Sequence, residues 1–148
     1  MMKELLHNIM VGDWVATEHG FPMQIINVGE DYAYATFEGN EGDPWEFDDK
    51  DEQPHPIEIT TEILKANGWE VHSYTLPHNF DEYFYVNDEK GVHIVWKRGT
   101  LSIWFAHEKD NDGISSDIII PVKYVHQLQQ VLRIAGLSDM ANNFKINE

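Results

Sequence analysis

The chain has 148 residues, of which 42% are apolar and 12% aromatic, and a formal net charge of −16 at pH 7. This composition indicates a folded protein of one domain or two small ones, and excludes a disordered chain. It contains no cysteine, which excludes disulfides, thiolate nucleophiles and thiolate metal sites.

The negative charge is concentrated in the first part of the chain. Residues 1–59 hold 14 Asp and Glu against Lys3 and Lys50, and eight of these acids lie within Glu38–Glu52. Such a charge repels phosphate backbones, so we expect no direct nucleic-acid binding. It attracts a protein partner with a basic surface, or it only keeps the protein soluble.

The first segment reads as short strands. "GDWVAT", "PMQIINV" and "YAYATFE" are β-rich runs separated by glycine-containing turns, and "PWEF" adds a fourth. Several short strands at close spacing predict a small all-β, barrel-like module over residues 1–53. "DDKDEQPHP" has the composition of a linker, so a second domain is predicted over residues 57–148.

The second domain is predicted to begin with a helix in "IEITTEILKANG", capped by Thr60 and ended by Gly68. A four-stranded antiparallel meander follows, in "DEYFYV", "GVHIVWK", "TLSIWFA" and "DIIIP". The turn at residues 98–99 predicts a two-residue hairpin that sets Ile94 opposite Ile103 in the core.

"YVHQLQQVLRIAGL" predicts a closing helix, so the expected fold class is α+β. Its apolar residues recur at spacings of three and four, as on one face of a helix, and Gly136 with Leu137 predicts a Schellman cap. We interpret the remaining polar side chains as a solvated face with His126 at its edge: Gln127, Gln129, Gln130 and Arg133. No other residue with ligand chemistry is spaced to join His126.

Three motifs also carry a resemblance: the early "VGDWV", "PIEITTEILKANGWE" and the terminal "YVHQLQQVLRIAGL". Together they are similar to a family of small uncharacterised proteins from gut bacteria and their phages. That family has a Gly-Asp/Asn-aromatic-Val strand, a helix led by Pro-Ile-x-Leu-Thr and a Tyr-Val-His-x-Leu-Gln helix. The sequence departs from the pattern at Glu58-Ile59, where Pro-Leu is usual. The resemblance implies an architecture and a phage or mobile-element setting, but no activity.

Motifs for common chemistries are missing. There is no Gly-x-Gly-x-x-Gly, no Walker-type phosphate loop and no Gly-x-Ser-x-Gly, and the eight histidines have no ligand spacing. "EKDNDGISSDII" fails as an EF-hand because Ile119 stands where a bidentate Glu is required. We therefore expect no catalytic residues, no metal and no cofactor.

The best candidate for binding is "FEGNEGDPWEFDDKDE", where aromatic residues among acids suit a cation of a partner. The candidate residues are Glu41, Asp43, Trp45, Phe47, Asp48, Asp49 and Asp51. Alternatively, the two aromatic residues close the barrel core and the acids form a solvated loop. A secondary candidate surface is the face of the meander that carries His93 and Trp104.

These features favour a non-catalytic accessory or adaptor protein that binds another protein through its acidic N-terminal surface. The first alternative is an inhibitor that mimics nucleic acid, with carboxylates in place of phosphates. The second is an enzyme of unrecognised type. We expect a cytoplasmic protein that does not associate with a membrane, because the start lacks a secretory signal and no apolar run approaches the roughly 20 residues needed to span a bilayer.

Overall fold

The protein consists of two compact units that contain both helices and strands, so its fold class is α+β. The computed structural model describes residues 2–37, 42–73, 83–87, 92–97, 100–110 and 113–146. The first unit comprises Met1–Glu58 and Tyr124–Glu148, and the second comprises Ile59–Lys123. The boundary predicted at residues 53–57 lies near the point where the chain passes from the first unit to the second, between Glu58 and Ile59. The prediction placed the C-terminal helix in the second domain, whereas that helix belongs to the first unit. Linker composition indicates where the chain leaves the first unit. It does not indicate whether a later segment packs against that unit again.

The first unit contains a four-stranded antiparallel sheet, as the four β-rich runs predict. Its elements are α1 (Met2–Asn8), β1 (Trp14–Ala16), β2 (Pro22–Val28), β3 (Tyr32–Thr36) and β4 (Trp45–Asp48), and the strand order is β1-β2-β3-β4. A bulge between Ile25 and Asn27 shifts the β2–β3 register. One face of the sheet and helix α1 share a core of Leu6, Ile9, Val15, Met23, Ile25, Ala33, Ala35 and Phe47.

The same unit ends with helices α3 (Val125–Ile134) and α4 (Ser138–Asn142). Helix α3 buries Val125, Leu128 and Leu132, as its apolar spacing predicts. The Gly136 N–H donates to the Arg133 carbonyl at 3.0 Å, and the Leu137 N–H donates to the Leu132 carbonyl at 2.8 Å. These two bonds are those of a Schellman motif, so the predicted cap is confirmed.

The second unit begins with α2 (Thr61–Ala66), whose predicted N-cap is confirmed because Thr60 Oγ1 accepts from the Ile63 N–H at 3.2 Å. Five antiparallel strands follow in chain order: β5 (Glu70–Ser73), β6 (Tyr83–Asn87), β7 (Val92–Lys97), β8 (Thr100–Asp110) and β9 (Gly113–Pro121). The prediction of four strands missed β5. Its sequence, "EVHS", has a single apolar residue, which is too little for period-two alternation to be visible.

The β7–β8 hairpin has the predicted register, with Ile94 opposite Ile103 and Trp96 opposite Leu101. Val92, Ile94 and Ile103 are fully buried, so this face of the two strands forms part of a core. The turn at residues 98–99, from which the register was predicted, lies outside the described residues.

We expect Ile94→Asp to lower the free energy of unfolding by more than about 3 kcal/mol, because it buries a charge opposite Ile103. Thr100→Asp is the control, since Thr100 is exposed at the start of β8 and should cost less than about 0.5 kcal/mol. Chemical denaturation measures both. Equal losses would contradict the assignment of this face to the core.

Candidate functional site

A fully buried carboxylate, Asp13, lies at the centre of a polar cluster in the first unit. Its Oδ2 accepts from the Met10 N–H at 2.9 Å and from Gln130 Nε2 at 2.8 Å. Its Oδ1 accepts from Arg133 Nη1, which completes an ion pair whose arginine side chain is 11% exposed. A buried charge is costly unless it is paired and hydrogen-bonded, and Asp13 is both.

Gln129 of helix α3 is also fully buried and connects three separate segments. Its Nε2 donates to the carbonyl oxygens of Gly12 at 2.8 Å and Ala141 at 3.0 Å. Its Oε1 accepts from the Trp14 N–H at 2.8 Å. Both amide donors and one acceptor position are therefore used, and the side chain joins α3 to the start of β1 and to α4.

Only glycine fits at position 12. Its φ of +96° is strained for residues with a side chain, and a Cβ there would lie 2.8 Å from both Arg133 Nη2 and Asn142 Oδ1. The backbone of Gly12 can therefore approach α3 and α4 closely enough to accept the bond from Gln129.

These contacts correct the interpretation of helix α3. Gln129 and His126 are buried and Arg133 is largely buried, whereas Gln127 is exposed. Polar residue type predicts exposure only when no partner is brought to the helix, and here Gly12 and Asp13, which bond Gln129 and Arg133, are about 120 residues away in the sequence. Hydrogen bonds to neighbouring segments of the same unit satisfy both Asp13 and Gln129, so we assign this cluster a structural role.

We expect Gln129→Met to lower the free energy of unfolding by about 1–3 kcal/mol, because it leaves the Trp14 N–H without its acceptor and removes the bonds to the Gly12 and Ala141 carbonyls. Gln127→Met is the matched control. Gln127 is exposed, and its Oε1 accepts from the Tyr124 N–H at 3.0 Å at the surface, so its replacement should cost less than about 1 kcal/mol. Denaturant titration of both variants makes the comparison, and a larger loss for Gln127→Met would contradict the structural role of Gln129.

His126 lies beside this cluster and is 7% exposed. Its ring stacks on Tyr124 with a centroid distance of 5.9 Å, and its Nδ1 has no hydrogen-bond partner among the residues described. Burial lowers the pKa of His126 below its ordinary value of 6.5, while the Asp13 carboxylate acts in the opposite direction. The folded protein therefore favours the neutral imidazole.

This burial predicts a loss of stability on acidification. The unfolded chain takes up the His126 proton at a higher pH than the folded protein, so the free energy of unfolding falls as the pH drops through 6.5. We expect His126→Phe to remove this contribution when melting temperatures are compared between about pH 7.5 and pH 5.5. His19→Phe is the control because the His19 side chain is 86% exposed. If His126→Phe keeps the pH dependence of the parent, His126 is not the group responsible.

The structure separates the residues of the predicted acidic site. Phe47 is fully buried in the core of the first unit, whereas Trp45 is 42% exposed at the start of β4. Asp43 and Asp51 are exposed and Asp49 is half-buried. Glu41 lies outside the described residues. Each of the two alternatives for the aromatic residues thus applies to one of them. Phe47 contributes to the core, and Trp45 is exposed at the surface.

Asp48 has a local structural role. Its Oδ1 accepts from the backbone N–H groups of Lys50 at 2.9 Å, Asp51 at 2.6 Å and Glu52 at 3.4 Å. The bond from Asp51 is the main cause that lowers the pKa of Asp48, followed by the bond from Lys50. Asp48 is therefore an ionised carboxylate that closes the turn after β4.

The secondary candidate surface is not supported at His93, which is 1% exposed. Trp104 pairs with His93 across the β7–β8 hairpin, and its side chain lies outside the described residues. A residue this buried cannot contribute to a binding surface. The hairpin register predicts which residues share a face, but it does not predict whether that face is covered.

The sequence did not predict a further surface on the outer side of the four-stranded sheet. We call it the tyrosine–acid face, and it consists of Tyr32, Tyr34, Glu46 and Asp48. Tyr32 stands directly opposite Asp48, and Tyr34 stands directly opposite Glu46, on neighbouring strands β3 and β4. The residues between them, Ala33 and Phe47, are fully buried on the other face of the sheet. The alternation in "YAYAT" could have revealed this face, because small buried residues alternate there with tyrosines that point outward.

Comparison with protein-family models, curated proteins and solved structures finds no match for this chain. Within the described residues, no group of three or more His, Asp or Glu side chains is placed to hold a metal ion. No helix in that part of the chain has the length and apolar character needed to cross a membrane.

Proposed function

We propose that this protein is a non-catalytic accessory or adaptor protein that binds a partner protein with a basic surface through the first unit. The observation that carries the proposal is the exposure of Asp43, Glu46 and Asp51. They lie within residues 38–52, where Lys50 is the single basic residue. A surface with one sign of charge attracts an oppositely charged partner and orients it during encounter.

The tyrosine–acid face supports the same proposal. Charge on an exposed surface mainly accelerates association, whereas buried aromatic contacts slow dissociation. Tyr32, 40% exposed, and Tyr34, half-buried, offer such contacts beside the carboxylates. Tyrosine is enriched at protein interfaces because its ring is apolar and its hydroxyl bonds to water or to a partner.

We also propose that the four-stranded sheet of the first unit is the wall of a barrel-like module and that the protein acts in the cytoplasm. The lack of cysteine is compatible with a reducing compartment. The motifs "VGDWV" and "YVHQLQQVLRIAGL", which carry the resemblance to proteins of gut bacteria and their phages, are those joined by the Asp13 cluster. The two motifs therefore occur together because their residues bond to each other in the folded protein. We include the phage or mobile-element setting in the proposal.

Partner capture from a nuclease-treated lysate of the native host tests the function. We expect capture that weakens steeply as salt rises and that is lost in the variant Asp43→Asn, Glu46→Gln, Asp51→Asn. Asp48 is left unchanged because it closes a turn. The matched control, Glu18→Gln, Glu62→Gln, Asp139→Asn, changes the net charge equally at exposed sites elsewhere and should capture the same proteins.

Two outcomes would contradict the proposal. If the first variant captures the same proteins as the parent, the acidic stretch serves solubility alone. If duplex DNA displaces the captured protein from the parent, the carboxylates occupy a nucleic-acid site and the mimic hypothesis replaces the adaptor. The melting temperature of the first variant should equal or exceed that of the parent, because repulsion between like charges is relieved.

A further inference from the structure

The tyrosine–acid face has two aromatic rings in a fixed arrangement. The centroids of Tyr32 and Tyr34 are 5.6 Å apart, with an angle of 64° between the ring planes. This is an edge-to-face pair, and it does not enclose a methylated ammonium group on several sides. An open ring face suits a flat group that can lie against it.

The Tyr32 ring is positioned by Gly29. A Cβ at residue 29 would collide with ring atoms of Tyr32, so the ring occupies the space where another residue would carry its side chain. The Gly29 N–H also donates to the Tyr32 carbonyl at 2.8 Å and closes the turn between β2 and β3. Contact with the Gly29 backbone and the Tyr34 ring limits the positions open to the Tyr32 ring, which lowers the cost of ordering it when a partner binds.

Each tyrosine has a carboxylate beside it. Residues directly opposite in an antiparallel pair have Cβ atoms about 4.5–5.5 Å apart, and this applies to Tyr32 with Asp48 and to Tyr34 with Glu46. The positive charge of Lys50 also lowers the pKa of Asp48, by a smaller effect than the backbone hydrogen bonds. Backbone hydrogen bonds keep the pKa of Asp48 below its usual range, so this carboxylate is charged at neutral pH.

We propose that the tyrosine–acid face binds arginine side chains of the partner protein, an inference that rests on the proposed adaptor function. A guanidinium group is planar, so it can stack on a tyrosine ring while its N–H groups donate in plane to the adjacent carboxylate. A lysine ammonium group is a compact, strongly hydrated charge and cannot stack in the same way.

The spacing of the two tyrosine–carboxylate pairs indicates the form of the bound segment. Tyr32 and Tyr34 are two residues apart on one strand, about 6.6–6.8 Å along its axis. Alternate side chains of an extended peptide have the same spacing. The face therefore fits an extended segment with arginines at alternate positions.

Peptide titration of the purified full-length protein tests the inference at low ionic strength, with Ser-Arg-Ser-Arg-Ser and Ser-Lys-Ser-Lys-Ser as probes. We expect the arginine peptide to bind about fivefold to tenfold more tightly than the lysine peptide, from two exposed stacking contacts. NMR should show shifts of the Tyr32 and Tyr34 ring resonances with the arginine peptide. Because this comparison uses the parent protein, it does not depend on the folding of a variant.

Variants then separate stacking from charge. Tyr32→Leu with Tyr34→Leu should reduce the affinity for the arginine peptide to that for the lysine peptide, and Gly29→Ala should weaken the preference by displacing the Tyr32 ring. Glu46→Gln should weaken both peptides. Trp45→Leu is the matched control, because Trp45 is as exposed as Tyr32 but lies outside the face, and it should leave the preference unchanged.

Equal affinity for the two peptides, or loss of the preference in Trp45→Leu alone, would overturn the inference. Neither result would affect the adaptor function if the captured partner still depends on Asp43, Glu46 and Asp51. Conversely, an arginine preference without charge-dependent capture would retain the site and refute the function.

Discussion

The burial of the Asp13 carboxylate is the constraint on which the first unit depends. Removing one partner from a buried ion pair costs about 3–5 kcal/mol, a large share of the roughly 5–15 kcal/mol by which a typical protein is stable. Arg133 and Gln130, which neutralise and bond this carboxylate, lie more than 110 residues further along the chain. The C-terminal helices therefore contribute a large share of the stability of the first unit, which is discontinuous in sequence.

That return also determines which part of the sheet is accessible. Gln24 of β2 donates to the Asn142 carbonyl at 3.2 Å, and the Trp14 indole donates to the Phe144 carbonyl at 2.6 Å. The C-terminal segment thus contacts the outer residues of β1 and β2. Tyr32 and Glu46, on β3 and β4, stay exposed. Packing of the C-terminal segment against β1 and β2 therefore stabilises the unit. It also leaves the tyrosine–acid face, on β3 and β4, uncovered by that segment.

The aspartates of this chain show that composition alone does not assign a role. Asp13 is buried and paired with an arginine, whereas Asp48 accepts backbone N–H groups and closes a turn. Asp43 and Asp51 face water. The net charge counts these residues equally, but only the exposed ones are available to attract a partner.

The sequence by itself determined the features whose partners lie within a few residues: the Thr60 cap, the Schellman motif at Gly136 and the β7–β8 register. Side-chain type and spacing are sufficient there, because the interacting atoms belong to one turn or one hairpin. Only the tertiary structure decided that Gln129 and His126 are buried and that Tyr32 stands beside Asp48. Those outcomes depend on which distant segments meet, and a polar side chain is solvated or buried according to whether a partner from elsewhere in the chain satisfies its hydrogen bonds.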